Sequence, residues 1–430
     1  MKKPLIAALL IVCTLVLPLS SCVKKKGGTD VPFSPALDTE TSCNITVVGS
    51  YDNFEALEAE FDRFNAYYPN VRFHYWKPDD YNNNLATVLD GNEKPNIFFS
   101  NAGMIGNAKY DAVFAHMEDL SDPALKLNLD CIRPGLINRD ASGGVRMVPV
   151  FSRTYGMLVN YDLFEKEGLA VPTTLAELTA VCEAFKSKGY DSPMMGYSQK
   201  SSSCLMYTVA YPLFVATLAD NPEALALANA LDPAAGEYMR PALEAVKRLI
   251  DSGFVNLDEC DLIGDNYTKV IMRFFEGDVP MMICAGDTVS GTKKRESQSE
   301  KFSAAPFKYA FAPIPLTENG GYFIDSPSVE FSVNKDCDNL DMTNEFMRFL
   351  LSKKELNEMA SVKRLVTPTT DLSFDTVYAP FGSVPSDRTL SPEVIGITDP
   401  LTVQIRVAAF RVGKGEMTVN DAIGTYGQFK

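Results

Sequence analysis

The sequence predicts an α/β protein in which parallel-rich sheets are flanked by helices, and two observations carry that expectation. From residue 43 onward, apolar runs of strand length alternate with amphipathic helical stretches, the order that builds parallel sheets covered by helices. The chain is also too long for one core, since 430 residues suit two domains of ordinary size.

The first residues are of a different kind. Lys2 and Lys3 precede an uncharged apolar run from Leu5 to Leu17, the layout of a secretory signal peptide. The run is shorter than the roughly 20 residues needed to cross a bilayer, and Pro18 breaks it before Ser20 and Ser21. Leu19-Ser20-Ser21-Cys22 resembles the bacterial lipobox. That resemblance implies that residues 1–21 are a lipoprotein signal peptide, that Cys22 is acylated, and that the mature chain is held at a lipid membrane. Lys24 to Lys26 would then lie beside the headgroups. Residues 22–42 are rich in Gly, Pro, Thr, Asp and Ser without apolar periodicity, and read as a flexible tether.

Composition excludes some functions. The formal charge is −15 and the longest basic runs are Lys24 to Lys26 and Lys293 to Arg295, so a nucleic-acid partner is not expected. Of nine cysteines, seven remain once Cys13 leaves with the signal and Cys22 is acylated. They lack the CxxC pairs of a zinc or redox site. Most are expected to be buried as small hydrophobes, with room for one disulfide whose partners the spacing leaves open.

Folded structure is expected to begin at "CNITVVGSYD", where Ile45, Val47 and Val48 form a buried strand ended by Gly49-Ser50. Phe54, Leu57, Phe61, Phe64 and Tyr68 then recur at spacings of three and four, predicting a helix capped by Asn53 and stopped at Pro69. "VRFHYW" is the next strand, a short helix spans Leu85 to Leu89, and "KPNIFFS" is a third strand. Ligands of such sheets bind at the carboxyl ends of strands, which makes Ser50, Tyr51, Asp52, Ser100 and Asn101 candidates. Further on, strands are expected over Met147 to Val150 and Gly156 to Asn160, followed by a helical turn from Asp162 to Glu167. Thr174 with Glu177 three residues on forms a capping box for a helix that Gly189 closes, and "SPMMGY" is another strand.

This segment resembles the extracellular solute-binding proteins of ABC importers, the sugar-binding family that includes maltose-binding protein. The family pattern is matched at Pro149, Val150, Tyr155, Gly156, Asn160, Leu163, Phe164, Gly168, Leu169, Pro172, Thr174, Glu177 and Leu178. "FFEGDVPMMICAGD", "FKYAFAPIPL", "RLVTPTT", "GEMTVNDAI" and the strand with long helix in "SVEFSVNKDCDNLDMTNEFMRFLLSKKELNEMA" extend it over most of the mature chain.

The resemblance implies a two-lobed periplasmic-binding-protein fold of type II, with hinge crossings near Val148 to Ser152, Cys284 to Asp287 and Val329 to Val333. Residues 43–150 and 286–330 would form the N-terminal lobe, and 151–285 and 331–430 the C-terminal lobe. It further implies a monomer, exported and facing the periplasm or cell exterior, that takes a mono- or oligosaccharide to ABC permease subunits without cofactor or metal. By matching position the ligand-binding residues would be Tyr51, Asp52, Ser100, Asn101, Ser152, Arg153, Tyr155, Gly286, Asp287, Ser326, Ser328 and Glu330. Arg153 stands out, because an arginine at a hinge turn can present a planar fork to a carboxylate or paired hydroxyls.

One departure bears on the ligand. Sugar-binding members often carry cleft tryptophans, but the corresponding places here hold Leu175 and Thr288, and the single tryptophan, Trp76, reads as a packing or surface residue. Tyr51, Tyr155, Tyr207, Tyr211 and Tyr322 are the alternatives for stacking.

An enzyme is not expected. Only His74 and His116 exist, without HExxH spacing, there is no GxSxG, and the two S-x-x-K strings (Ser290 to Lys293, Ser332 to Lys335) lack their partner motifs. A glycosidase would need two carboxylates at a set separation, which sequence alone does not exclude. A receptor that reports ligand occupancy to a membrane sensor kinase would share the fold and the anchor.

Overall fold

The computed structural model describes residues 32–199, 205–264 and 266–430. The signal segment, Cys22 and the first part of the tether lie outside them, as does Cys204.

Thirteen strands are β1 (Cys43–Val48), β2 (Val71–Trp76), β3 (Ile97–Ser100), β4 (Val148–Pro149), β5 (Ser152–Arg153), β6 (Tyr155–Asn160), β7 (Met194–Gly196), β8 (Met281–Ala285), β9 (Tyr309–Ala312), β10 (Phe323–Ile324), β11 (Ser326–Pro327), β12 (Glu330–Val333) and β13 (Thr389–Leu390) among the described residues. One sheet has the order β2-β1-β3-β12-β4 and another the order β7-β8-β6-β9. The expected parallel pairing holds for β1 with β2 and β3, and for β7 with β8. β12 runs antiparallel between β3 and β4, and β6 antiparallel to both β8 and β9, so each sheet is mixed.

The local signals account for the elements. Helix Glu55–Asn65 buries Ala56, Leu57, Glu60, Phe61 and Phe64, the face that the three-and-four spacing marks. Its N-cap position is Phe54 with no side-chain cap; Asn53 instead donates from Nδ2 to Glu55 at 3.3 Å. The Thr174–Glu177 capping box forms as expected at the start of helix Leu175–Ser187. The expected long helix after β12 is two, Leu340–Leu350 and Lys353–Lys363, because Ser352 caps the second by accepting from the Glu355 N–H at 3.2 Å.

Two hydrophobic cores define two lobes. The first gathers residues from Ile45 to Phe151 and from Val329 to Leu365; the second gathers those from Tyr155 to Ile324 and from Val366 to Phe429. This revises the expected division. Residues 286–324 belong with the second lobe, where Phe302 lies 4.5 Å from Phe275 between ring centroids. Residues 331–365 belong with the first, where Phe346 and Phe349 pack on Phe61 and Phe64. The chain therefore crosses at 151–155, 324–329 and 365–366. Cys284 to Asp287 is no crossing: β8 is an inner strand of the second sheet, and Cys284, Ala285 and Val289 all join the second core.

The expected tether is also shorter. Phe33 packs edge-on against Tyr67 and Phe349, with the Arg348 guanidinium 4.5 Å from its ring centre. The Ala36 N–H donates to Glu345 and the Leu37 N–H to the Tyr68 hydroxyl, so residues 33–37 are docked on the first lobe. Cys43, Cys182, Cys260, Cys284 and Cys337 are free thiols.

The crossings are tied to one another. β5 pairs antiparallel with β11, and the Ser152 N–H donates to the Val366 carbonyl at 2.9 Å. Arg133, in the first lobe, reaches all three: Nε and Nη2 fork onto Asp325 at 2.7 Å each, Nη2 also donates to Ser152 Oγ, and Nη1 donates to the Thr367 and Thr369 carbonyls. Asp325 is buried and the Arg133 side chain is only 14% exposed, so removing one strands the other's charge. Arg133→Ala is expected to lower stability by about 3–5 kcal/mol, read as a shift in the urea midpoint. Arg133→Lys should recover only part of it, because an ammonium cannot reproduce the fork. A loss below about 1 kcal/mol in the alanine variant would show that the hub is not structural.

Candidate functional site

The junction of the lobes is built from the ends of strands and the crossings themselves. Asp287, in the helical turn after β8, accepts from Arg153 Nη1 at 3.3 Å and from Ser328 Oγ at 3.2 Å, joining the first two crossings. Gly286 holds that turn in place, its N–H on the Thr154 carbonyl at 2.8 Å and its own carbonyl accepting from the Tyr378 hydroxyl.

Beside Arg153 stands an aromatic wall. Tyr155 opens β6, and Tyr207 and Tyr211 lie one turn apart on helix Leu205–Ala219, with the three ring centroids 4.9 to 5.6 Å from one another. Burial pushes the Tyr207 and Tyr211 hydroxyls well above the usual phenol range, so both stay protonated donors.

Next to the wall are two carboxyls, one from each lobe. Glu330, the first residue of β12, is 1% exposed; its Oε2 accepts from the Ala102 N–H at 2.9 Å, and its Oε1 is buried without a partner. Glu393, in the helical turn Pro392–Ile395, has Oε2 buried without a partner. Burial pushes Glu330 up to about 8, with the charge of Glu393 adding to it. Burial likewise pushes Glu393 up to about 7, opposed by Arg153 and reinforced by Asp325 and Asp399. Two donors share the same condition, since Arg153 Nε and Asn138 Nδ2 are buried and unpaired. Asn138 is near enough to ease the Glu330 charge, yet the two make no hydrogen bond of ordinary geometry.

Residues 391–399 of the second lobe close over the first. A Cβ on Gly135 would lie 2.8 Å from Ser391 Oγ and 3.2 Å from Val394 Cγ2, and one on Gly103 would strike the Asp399 carboxylate. A side chain at either position would displace these groups.

The expected site residues are thus only partly assembled. Arg153, Tyr155, Asp287, Ser328 and Glu330 come together with Gly286 behind them. Tyr51 joins them from the first lobe, its ring edge-on to Phe54 and Phe99 and its hydroxyl raised by burial and by the Asp287 charge. Asp52 does not join: its side chain is 92% exposed and paired with Lys77 at 2.7 Å. Ser100 is turned into the first sheet, accepting from Ser332 Oγ at 2.8 Å, and Ser152 is occupied by Arg133. Ser326 is buried in the β5–β11 ribbon, and Asn101 is exposed at the start of the turn Ala102–Met104. Tyr322 stands apart, lining a cavity of about 610 Å³ with Asp220, Asn319 and Arg388. Trp76 is half-buried against the first core. Sequence reasoning missed Glu393 and Asn138. Ser-Pro-Glu reads as an ordinary solvent-facing helix start, and nothing in the sequence marks Asn138.

Two lobes joined by three tied crossings, with unpaired polar atoms gathered where they meet, make a clamshell binding protein. The chain belongs to the bacterial extracellular solute-binding protein family, whose model matches residues 49–356. The melibiose/raffinose/stachyose-binding protein MelE of Bacillus subtilis is 21% identical over 374 residues, covering 85% of this chain and 81% of MelE. Among solved structures, RafE in complex with raffinose aligns with a TM-score of 0.65 at 17% identity, covering 90% of this chain and 99% of RafE. The sugar-binding protein MalE of Xanthomonas citri aligns at 0.67 and 17% identity, covering 90% and 96%. The two-lobed α/β fold expected from the sequence is the fold observed.

The two carboxyls give a pH signature. Their folded pKa values lie above the ordinary 4.5, so the folded protein keeps protons that the unfolded chain releases. The stability they contribute is full below about pH 4.5 and is lost as the pH rises through about 7 and 8. Each step of one in pKa corresponds to about 1.4 kcal/mol. Unliganded wild type should therefore lose a few kcal/mol between pH 5 and 8 relative to the double variant Glu330→Gln/Glu393→Gln, measured by urea denaturation across that range. Parallel curves would show that the carboxyls are not buried in solution.

Proposed function

We propose that this protein is the membrane-anchored receptor of an ABC importer, capturing an oligosaccharide between its lobes and presenting it to a permease. One observation carries the reading: unpaired donors (Arg153 Nε, Asn138 Nδ2) and unpaired acceptors (Glu330 Oε1, Glu393 Oε2) converge beside a tyrosine wall. A sugar supplies what that set lacks, because each hydroxyl both donates and accepts while its C–H face packs on a ring. The family membership and the raffinose and stachyose named for similar proteins support the ligand class. The carboxyl pair also weighs against a glycosidase. Acid and base roles require environments that drive two pKa values apart, whereas burial raises both here.

The test is a thermal-shift screen of the mature chain carrying Cys22→Ala against raffinose, stachyose, maltotriose, and glucosamine oligomers with and without N-acetylation. A ligand at 100 times its Kd should add about 2.7 kcal/mol of stability. Tyr155→Ala and Arg153→Ala should each weaken the hit at least tenfold, about 1.4 kcal/mol. Silence across the sugars, or hydrolysis of any of them, would reject the reading.

Anchoring is proposed through Cys22. The wild-type chain should fractionate with membranes and incorporate labelled palmitate, and Cys22→Ala should appear in the soluble or secreted fraction. A membrane-bound, unlabelled Cys22→Ala protein would reject the lipid anchor.

A further inference from the structure

We infer that the natural ligand carries a protonated amine seated between Glu330 of the first lobe and Glu393 of the second, so that its class is an amino sugar or an aminated oligosaccharide. The inference rests on the carbohydrate reading of the cleft and narrows it.

Glu330 is fully buried, with one oxygen on the Ala102 N–H and the other unpaired, and Glu393 also keeps an oxygen buried and unpaired. The charged groups acting on them are Arg153 from the first crossing, Asp325 from the second, Asp399 from the start of helix Asp399–Gly413, and each other. Arg153 already donates to Asp287, and Asp325 is held by the Arg133 fork. Carboxylates thus outnumber the cations that serve them.

A buried carboxyl pair of this kind must hold a proton or meet a cation. A neutral hydroxyl can fill a lone pair but leaves the mutual repulsion in place. An ammonium removes both, through charge-assisted hydrogen bonds to the two carboxylates. Tyr211, whose hydroxyl feels the Glu393 charge, and Tyr155 beside it would offer ring faces to the same cation. A simple polyamine does not suffice. Arg153 Nε and Asn138 Nδ2 need acceptor oxygens, which sugar hydroxyls or ring oxygens provide.

The test is titration calorimetry on the mature chain carrying Cys22→Ala at pH 7. The probes are glucosamine and its β-linked oligomers, galactosamine, the N-acetylated counterpart of each, raffinose, stachyose and spermidine. An aminated sugar is expected to bind at least tenfold more tightly than its N-acetylated counterpart. Its binding should release protons, seen as an enthalpy that varies with the ionisation enthalpy of the buffer, because the carboxyls give up their protons to receive the ammonium. Glu393→Gln should weaken that binding at least tenfold and remove the proton release. A neutral sugar that binds without proton release, and as tightly to Glu393→Gln as to wild type, would overturn the amine while leaving the oligosaccharide reading intact. Binding of spermidine without any sugar would overturn the carbohydrate reading and the amino sugar with it, and so would silence across all the probes.

Discussion

Arg133 uses all five of its N–H bonds, and they end on three separate passages of the chain between the lobes. A guanidinium is suited to this because its donors lie fixed in one plane and it never loses its charge. With Asp325, Ser152, Thr367 and Thr369 held on one rigid group, the crossings cannot slide past one another. The remaining freedom is bending within the short β5–β11 ribbon and at Leu365–Val366. Arg364, next to the third crossing, adds a contact across the hinge by donating to Glu296, Tyr309 and Thr292 of the second lobe. Contacts near the axis can persist while those farther from it separate. That is the geometry of hinge closure.

The same constraint explains why the cleft carries unpaired polar atoms. Each buried donor or acceptor without a partner costs about 1–3 kcal/mol, and four of them meet where the lobes close. The empty form lowers this cost by keeping the two carboxyls protonated. A ligand that satisfies them reverses the balance, because it interacts more favourably with the closed form than with the open one. Discrimination then follows from chemistry rather than size. A molecule that fills the space without pairing Glu330 Oε1 and Arg153 Nε leaves the penalty in place.

Much of this was legible in the sequence where the signal is local. The strand "NITVV", the helix face of Phe61 and Phe64, and the Thr174–Glu177 box depend on neighbours a few residues away. What was not legible depends on pairing across the chain. Nothing between residues 284 and 365 says which core an apolar side chain enters, so the sequence does not mark that Phe302 packs in the second lobe and Phe346 in the first. Asn53 looks like a better cap than Phe54, but Phe54 is fully buried among Tyr51, Phe99 and Phe151, and that packing sets where the helix begins. Of the candidate site, the residues at the crossings were legible through the family resemblance, which places them by matching position. Ser100, Ser152 and Asp52 have suitable chemistry at strand ends, yet a hydrogen bond or ion pair claims each of them elsewhere.

The docking of Phe33 also sets which lobe an anchor at Cys22 would hold directly. Phe33 lies in a slot formed by Tyr67, Phe64 and Phe349, and the neighbouring backbone is bonded to Glu345 and Tyr68, so the described chain starts on the first lobe. Between Cys22 and Phe33 the chain can span at most roughly 40 Å, even fully extended. The first lobe would be kept within that distance of the lipid headgroups, whereas the second, bearing Tyr207, Tyr211 and Glu393, is joined only through the crossings. In that arrangement the anchored lobe stays put and the other swings, so ligand-driven closure changes the face presented to a membrane partner without moving the anchor.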